Sequence, residues 1–170
     1  MKSRDRKYEP SSEAVAALNE LSQDPRNIVF VVSPASKALL HSWYHEKAPK
    51  LGLAAENGFF WRFDSRNKNE SEWNQLIQVD DFMWIKQVRL IMKQYKDKTD
   101  GSYIEEKEST IIWNHKNAEY EFGKLQAKEL KTYLKNVFEH LPIETYETKN
   151  TVQVVPQELK NDKLVRTLLE

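Results

Sequence analysis

Cysteine is missing from the 170 residues altogether. Disulfides, thiolate zinc sites and a cysteine nucleophile are therefore excluded, and a reducing compartment suits the chain. Net charge is missing too, because 26 Lys and Arg residues offset 26 Asp and Glu residues. A neutral chain projects no overall field toward polyanions, so nucleic acid is not an expected partner. No apolar run approaches the length of a membrane-crossing helix, so no membrane span is expected. The opening segment MKSRDRKYEP is charged and has neither an apolar stretch nor an obvious amphipathic face. It reads neither as a secretory signal nor as an organelle presequence. The expected setting is intracellular and cytoplasmic, with an organelle left open. Internal repeats and low-complexity tracts are absent as well.

What is present is a core. Five Trp, seven Tyr and seven Phe supply large apolar area for one ordinary domain or two small halves. SSEAVAALNELSQDP reads as a helix capped by Ser12, with Val15, Leu18 and Leu21 on one face and Pro25 at its end. NIVFVV (27–32) is continuously apolar, the pattern of a strand covered on both faces. SKALLHSWYHEK (36–47) is a second amphipathic helix. LGLAAENGFFWRF (51–63) reads as a short buried strand, a Gly turn and another strand. DSRNKNESE (64–72) is polar and aperiodic, hence a loop. DDFMWIKQVRLIMKQYKDK (80–98) is a long helix with Phe82, Ile85, Val88, Ile91 and Met92 in its apolar stripe. After the turn TDGS, residues 103–116 give two strands or a hairpin, and 118–138 a helix. IETYE and TVQVVP have the period of strands, and 162–170 begin a last helix. This order implies an α/β layer fold with an α+β lobe inserted over roughly 65–148.

Several long stretches carry a family resemblance. LGLAAENGFFWR is similar to the GLAAEHG-x-x-x-R stretch of trehalose-6-phosphate phosphatases. TDGSYIEEKESTIIWNHKNAEYEFGKLQAKEL resembles that family's Pro-Gly-Ser, aromatic, IE-x-K, WHY, FG and QAKEL series. DPRNIVFVVS resembles the strand before its Ser-Gly-Arg, and VQVVPQELKNDK its VEVRP segment. The resemblance runs from about residue 15 to the end. It implies a partial Rossmann-like haloacid-dehalogenase core over 1–64, a cap-like α+β lobe over 65–148 and a return to the core over 149–170.

The same resemblance specifies a catalytic set against which the residues can be checked. The family's chemistry needs an Asp nucleophile and a second Asp two residues on, with Mg²⁺ to offset phosphate charge. The chain contains no D-x-D, and the residues ahead of the first helix are too few for the strand that would carry one. Ser-Gly-Arg becomes Ser33-Pro34-Ala35. Ser33 keeps one hydroxyl, Pro34 replaces a glycine and has no N–H, and the arginine is gone. The family's phosphate lysine aligns with Asn161, between Lys160 and Lys163, and the VEVRP arginine with Val155. The acidic magnesium cluster would fall beyond residue 170. No catalytic residue, metal ligand or magnesium cofactor is therefore expected. Ser33 is read as the vestige of the phosphate motif.

The resemblance also implies sugar-binding positions: Glu56, Asn57, Gly58, Arg62, Glu105 and Lys107, with Asn57 where the family has His. A carboxylate there can accept two sugar hydroxyls, so a weak trehalose-type site is conceivable. Each residue has a plainer reading. Glu56 and Arg62 could pair with each other. Glu105 and Lys107 could solvate a strand edge. His41 and His45, four apart on a helix, have zinc-pair spacing but no third ligand, which favours a solvated face. The tryptophans are expected in the core or at interfaces. Lys93, Lys96 and Lys98 are diluted by Asp97 and Asp100 into a solvated helix end. The expectation is a non-catalytic trehalose-phosphatase-like protein that serves as a structural or regulatory subunit with other protein subunits. The alternatives are a fragment of an active phosphatase or bifunctional synthase/phosphatase, and a module that binds trehalose or its phosphate.

Overall fold

The computed structural model describes residues 9–63, 72–77, 82–157, 159 and 161–169, with the side chains of 161–163 and 169 excepted. The chain forms two compact units, one from residues up to 77 together with those from 160, the other from 78–159.

The first unit begins with helix α1 (Ser12–Gln23). Its cap is Ser11, whose hydroxyl accepts from the Ala14 N–H at 3.2 Å, rather than Ser12. Val15 is buried and Leu21 is exposed, so the expected apolar face is only partly used. Strand β1 (Phe30–Val32) pairs in parallel with β2 (Gly52–Ala55). Helix α2 (Lys37–Tyr44), capped by Ser36, connects them and buries Leu40, Trp43 and Tyr44. A 3-10 turn (Glu56–Gly58) leads into β3 (Phe60–Arg62), which is antiparallel to β2, and β4 (Asn74–Gln75) closes the sheet. Strand order is β1-β2-β3-β4. The expectation that 27–32 is covered on both faces does not hold. Only three of those residues are strand, β1 stands at the sheet edge, and Ile28 and Val32 are 70% and 47% exposed. A parallel strand with one neighbour leaves its apolar side chains uncovered. The last helix, α5 (Asn161–Leu169), packs Leu164 against the 3-10 turn.

The second unit is a two-layer α+β body. Its sheet contains β5 (Tyr103–Glu106), β6 (Ile111–Asn114), β7 (Ile143–Glu147) and β8 (Thr151–Pro156), all antiparallel, in the order β5-β6-β8-β7. Helices α3 (Met83–Lys98) and α4 (Tyr120–Val137) pack on the sheet. The stripe read from 80–98 is the observed buried face: Ile85, Val88 and Met92 enter the core, with Phe82 and Ile91 packed against it. Trp113, Leu130, Leu134, Val152 and Val154 complete the core. The return to the first unit, expected at 149, comes later. Thr148 and Thr151 close a tight hairpin, with Thr148 N–H donating to the Thr151 carbonyl at 2.9 Å, and this holds β8 between β7 and β6. Among the described residues, no helix is long and apolar enough to cross a membrane.

Candidate functional site

The Ser33 loop and the 56–58 turn meet at the end of β1 and β2. Ser33 N–H donates to the Ala54 carbonyl at 2.9 Å, Glu56 N–H to the Ala35 carbonyl at 3.0 Å, and Asn57 N–H to the Ser33 carbonyl at 2.9 Å. The Ser33 hydroxyl oxygen accepts from the Ala35 N–H at 3.1 Å. Pro34 has no N–H to offer. The Ser33, Ala35, Glu56 and Asn57 amides are thus bonded within the protein, while a phosphate held at such a loop needs amides free to donate to it.

The turn itself is strained. Glu56 and Asn57 adopt φ of 50° and 59°, and Gly58 a φ of 94°. Side chains rarely occupy that region, and two consecutive non-glycine residues there mark a held conformation. Glu56 is buried, Asn57 exposed and Gly58 buried. A side chain at Gly58 would press on Leu164 of α5.

Arg62, on β3, is buried, and burial pushes its pKa down. Its Nη2 donates to His41 Nδ1 at 3.0 Å, and its guanidinium lies 4.9 Å from the centre of the Trp73 ring. Arginine has no acceptor, so His41 must be neutral at Nδ1 in this contact. Partial burial, then the charges of Arg62 and His45, hold the His41 imidazole below its ordinary 6.5. A folded pKa lowered this way favours the neutral form. Its stabilising effect is present above 6.5 and is lost as pH falls through the folded value. We expect NMR titration to place His41 below 6.5, and Arg62→Gln to raise it part of the way back. An unshifted His41 in the parent chain would remove this contact.

His41 and His45 stack with ring centres 4.2 Å apart on an exposed face. Among the described residues, no three His, Asp or Glu side chains gather closely enough to hold a metal ion. The Ser33 loop presents a hydroxyl and a proline, with no paired carboxylates in it. Lys160 and the side chains of Asn161 and Lys163 lie outside the described residues, as do residues 64–71 of the polar loop. Val155 is buried in β8.

Glu105 and Lys107 belong to the second unit. Glu105 is half-buried on β5 and accepts from Asn114 Nδ2 at 3.5 Å. Lys107 is half-buried just past the strand, and its N–H donates to the Thr110 carbonyl at 2.8 Å. The six sugar positions therefore divide: Glu56, Asn57 and Gly58 adjoin Ser33, Arg62 reaches α2, and Glu105 and Lys107 sit on the other unit. Sequence reading missed the His41–Arg62 contact, because residues 21 apart with no shared pattern reveal no pairing. Three tryptophans, Trp43, Trp84 and Trp113, are buried as expected, and Trp61 and Trp73 are half-buried.

Comparisons with known proteins agree with this architecture. The family model described as Trehalose-phosphatase matches residues 1–170. The chain is 36% identical over 160 residues to "Alpha,alpha-trehalose-phosphate synthase [UDP-forming] 6" of Arabidopsis thaliana, covering 94% of this chain and 18% of that protein. It is 30% identical over 160 residues to "Trehalose-phosphatase" of Zygosaccharomyces rouxii, covering 94% and 17%. The chain thus spans less than a fifth of the curated relatives it matches. Among solved structures, the C-terminal domain of Candida albicans trehalose-6-phosphate phosphatase matches with TM-score 0.80 and 30% identity, over 92% of this chain and 53% of that one. The C-terminal domain of the Candida albicans trehalose synthase regulatory protein matches with TM-score 0.80 at 20% identity, over the same shares, and so speaks for the fold alone. The fold is that of a haloacid-dehalogenase-like phosphatase core with an inserted α+β lobe, and the chain belongs to the trehalose-phosphatase family.

Proposed function

We propose that this chain is a non-catalytic trehalose-phosphatase-like protein that acts as a structural or regulatory part of a larger assembly. The observation that carries this reading is the closed Ser33 loop. Its Ala35 amide is spent on Ser33, its middle residue is Pro34, and no guanidinium stands at position 35. With no D-x-D in the chain, the nucleophile and general acid are missing as a unit. Losing such a unit lowers turnover by roughly 10⁴-fold or more. Among the described residues no strand pairs with the outer edge of β1, and Ile28 and Val32 are exposed; this supports the assembly part of the reading, because an uncovered apolar edge invites a further strand.

The test is direct. The purified 170-residue chain, given trehalose 6-phosphate and Mg²⁺, should release inorganic phosphate at the rate of the buffer control. Release at an enzyme-like rate overturns the proposal.

A second reading is favoured by the coverage of under a fifth of the curated relatives. On it, the chain is a portion of a longer phosphatase or synthase/phosphatase whose catalytic carboxylates lie elsewhere. Intact mass of the native protein separates the two: a mass far above 20.1 kDa, together with phosphatase activity, selects the longer enzyme. A third role, binding of trehalose or its phosphate without turnover, rests on Glu56, Asn57 and Gly58 lying beside the Ser33 loop. Calorimetric titration with millimolar sugar and no heat removes it.

A further inference from the structure

We propose that His115 is an acid-sensitive latch: its neutral ring seats α4 and the β7–β8 hairpin on the sheet of the second unit, and a proton on that ring drives it out and loosens both. The latch lies wholly within the second unit and is independent of the Ser33 loop, so phosphate release by the chain would leave it intact.

His115 directly follows β6 and is only 6% exposed. Its ring stacks on Trp113 of β6, with centres 5.2 Å apart and planes inclined by 22°. Its N–H donates to the Asn150 carbonyl of the β7–β8 hairpin at 2.9 Å, and its carbonyl accepts from the Ala118 N–H ahead of α4 at 3.0 Å. A methyl at Gly123 would stand 2.8 Å from His115 Nδ1, so the ring is pressed against the start of α4, where only glycine leaves room. One residue thus fills the corner where strand, hairpin and helix meet.

That corner suits an imidazole and not an imidazolium. Nε2 is buried and has no hydrogen-bond partner among the described residues. Both ring nitrogens are donors in the charged form, so a proton would leave a buried Nε2–H with nothing to accept from it. The amides at the start of α4 carry the positive end of the helix dipole and disfavour the charge further. Charged groups on the surrounding segments are Lys116 beside it, Glu119, Glu121 and Lys124 at the start of α4, Lys149 in the hairpin, and Glu147 of β7 with its partner Lys131. The Glu119 carboxylate is occupied as the helix cap, accepting from the Glu121 and Phe122 amides at 3.0 and 2.7 Å. Burial lowers the His115 pKa from 6.5, and the Glu147 charge offsets only part of that. A group lowered this way contributes its stability in full above 6.5 and loses it as pH falls through the folded value. Leaving the corner lets the ring take its charge in water, at the expense of the Asn150 and Ala118 bonds.

The test is amide hydrogen exchange of the full chain, read residue by residue by NMR at about pH 7.5 and about pH 5. Protection factors of the His115 and Ala118 amides should fall by about fivefold or more at the lower pH, while those of Val88 and Met92 in α3 change less. The His115 ring, titrated in the same spectra, should change charge below 6.5, at the pH where that protection is lost. His115→Phe keeps a flat ring that cannot take a proton, so the acid loss should disappear at Ala118. Glu147→Gln leaves His115 in place and removes the charge that favours its protonation, so the loss should move to lower pH. That second variant keeps the test open if the first fails to fold. The proposal is overturned if His115 titrates at or above 6.5, or if the parent keeps its protection at the lower pH. Acid loss that persists in His115→Phe, or that stays at the same pH in Glu147→Gln, overturns it as well, by placing the sensitive group elsewhere.

Discussion

Trp113→Ala is expected to destabilise the second unit by about 3–5 kcal/mol, the usual cost of truncating a large aromatic in a closed core. Trp113 is fully buried on β6, which lies between β5 and β8. Its ring stands edge-on to Tyr95, with centres 6.5 Å apart, and stacks on His115 at 5.2 Å. Met92, Leu130, Val152 and Val154 share the same cluster. A strand paired on both sides cannot shift to fill the hole, so most of the lost contact area stays lost. The melting temperature should fall by about 10 °C or more, as read by calorimetry and near-ultraviolet dichroism. Trp113→Phe keeps most of the volume and should cost about 1–2 kcal/mol. An alanine variant that melts with the parent would show that the cluster is not the core of this unit.

Gly101→Ala should cost about 3 kcal/mol although only one methyl is added. Gly101 has a φ of 81° in the turn between α3 and β5. A methyl there would overlap the main-chain carbonyl oxygen of Asn117 and crowd the Ala118 nitrogen. That neighbouring turn is itself fixed, with Ala118 N–H donating to the His115 carbonyl at 3.0 Å. Neither atom can rotate away. Gly58→Ala is the informative comparison. It has a similar φ of 94°, but the atom it would meet is the end of the Leu164 side chain, which can yield. It should cost about 1–2 kcal/mol. Urea denaturation of the two variants gives the order, and a Gly58 variant less stable than the Gly101 variant would reverse this account of the turns.

The parts of the fold legible in the sequence were those set by local period. The α3 stripe of Ile85, Val88 and Met92 is one, and the β5–β6 hairpin is another. What escaped were assignments that depend on neighbours. An apolar run such as 27–32 has no period that tells a central strand from an edge strand, and β1 proved to be an edge. TVQVVP reads as a strand either way, and only its register with β6 and β7 places it in the second sheet. For the site, the replaced residues at 33–35 were visible directly. The spending of the Ala35 amide on the Ser33 hydroxyl was not, because a main-chain direction has no residue-type signature.

By itself, the order of residues determined the family, the lack of a paired aspartate motif and the content of helices and strands, since these depend on identity and short-range spacing. Only the tertiary structure decided which sheet each strand joins, that Arg62 rests on His41, and that the Ser33 amide is bonded to Ala54 and the Ala35 amide to the Ser33 hydroxyl. Those facts depend on groups far apart in the chain being brought within a few ångströms, and no local pattern records which distant groups will meet.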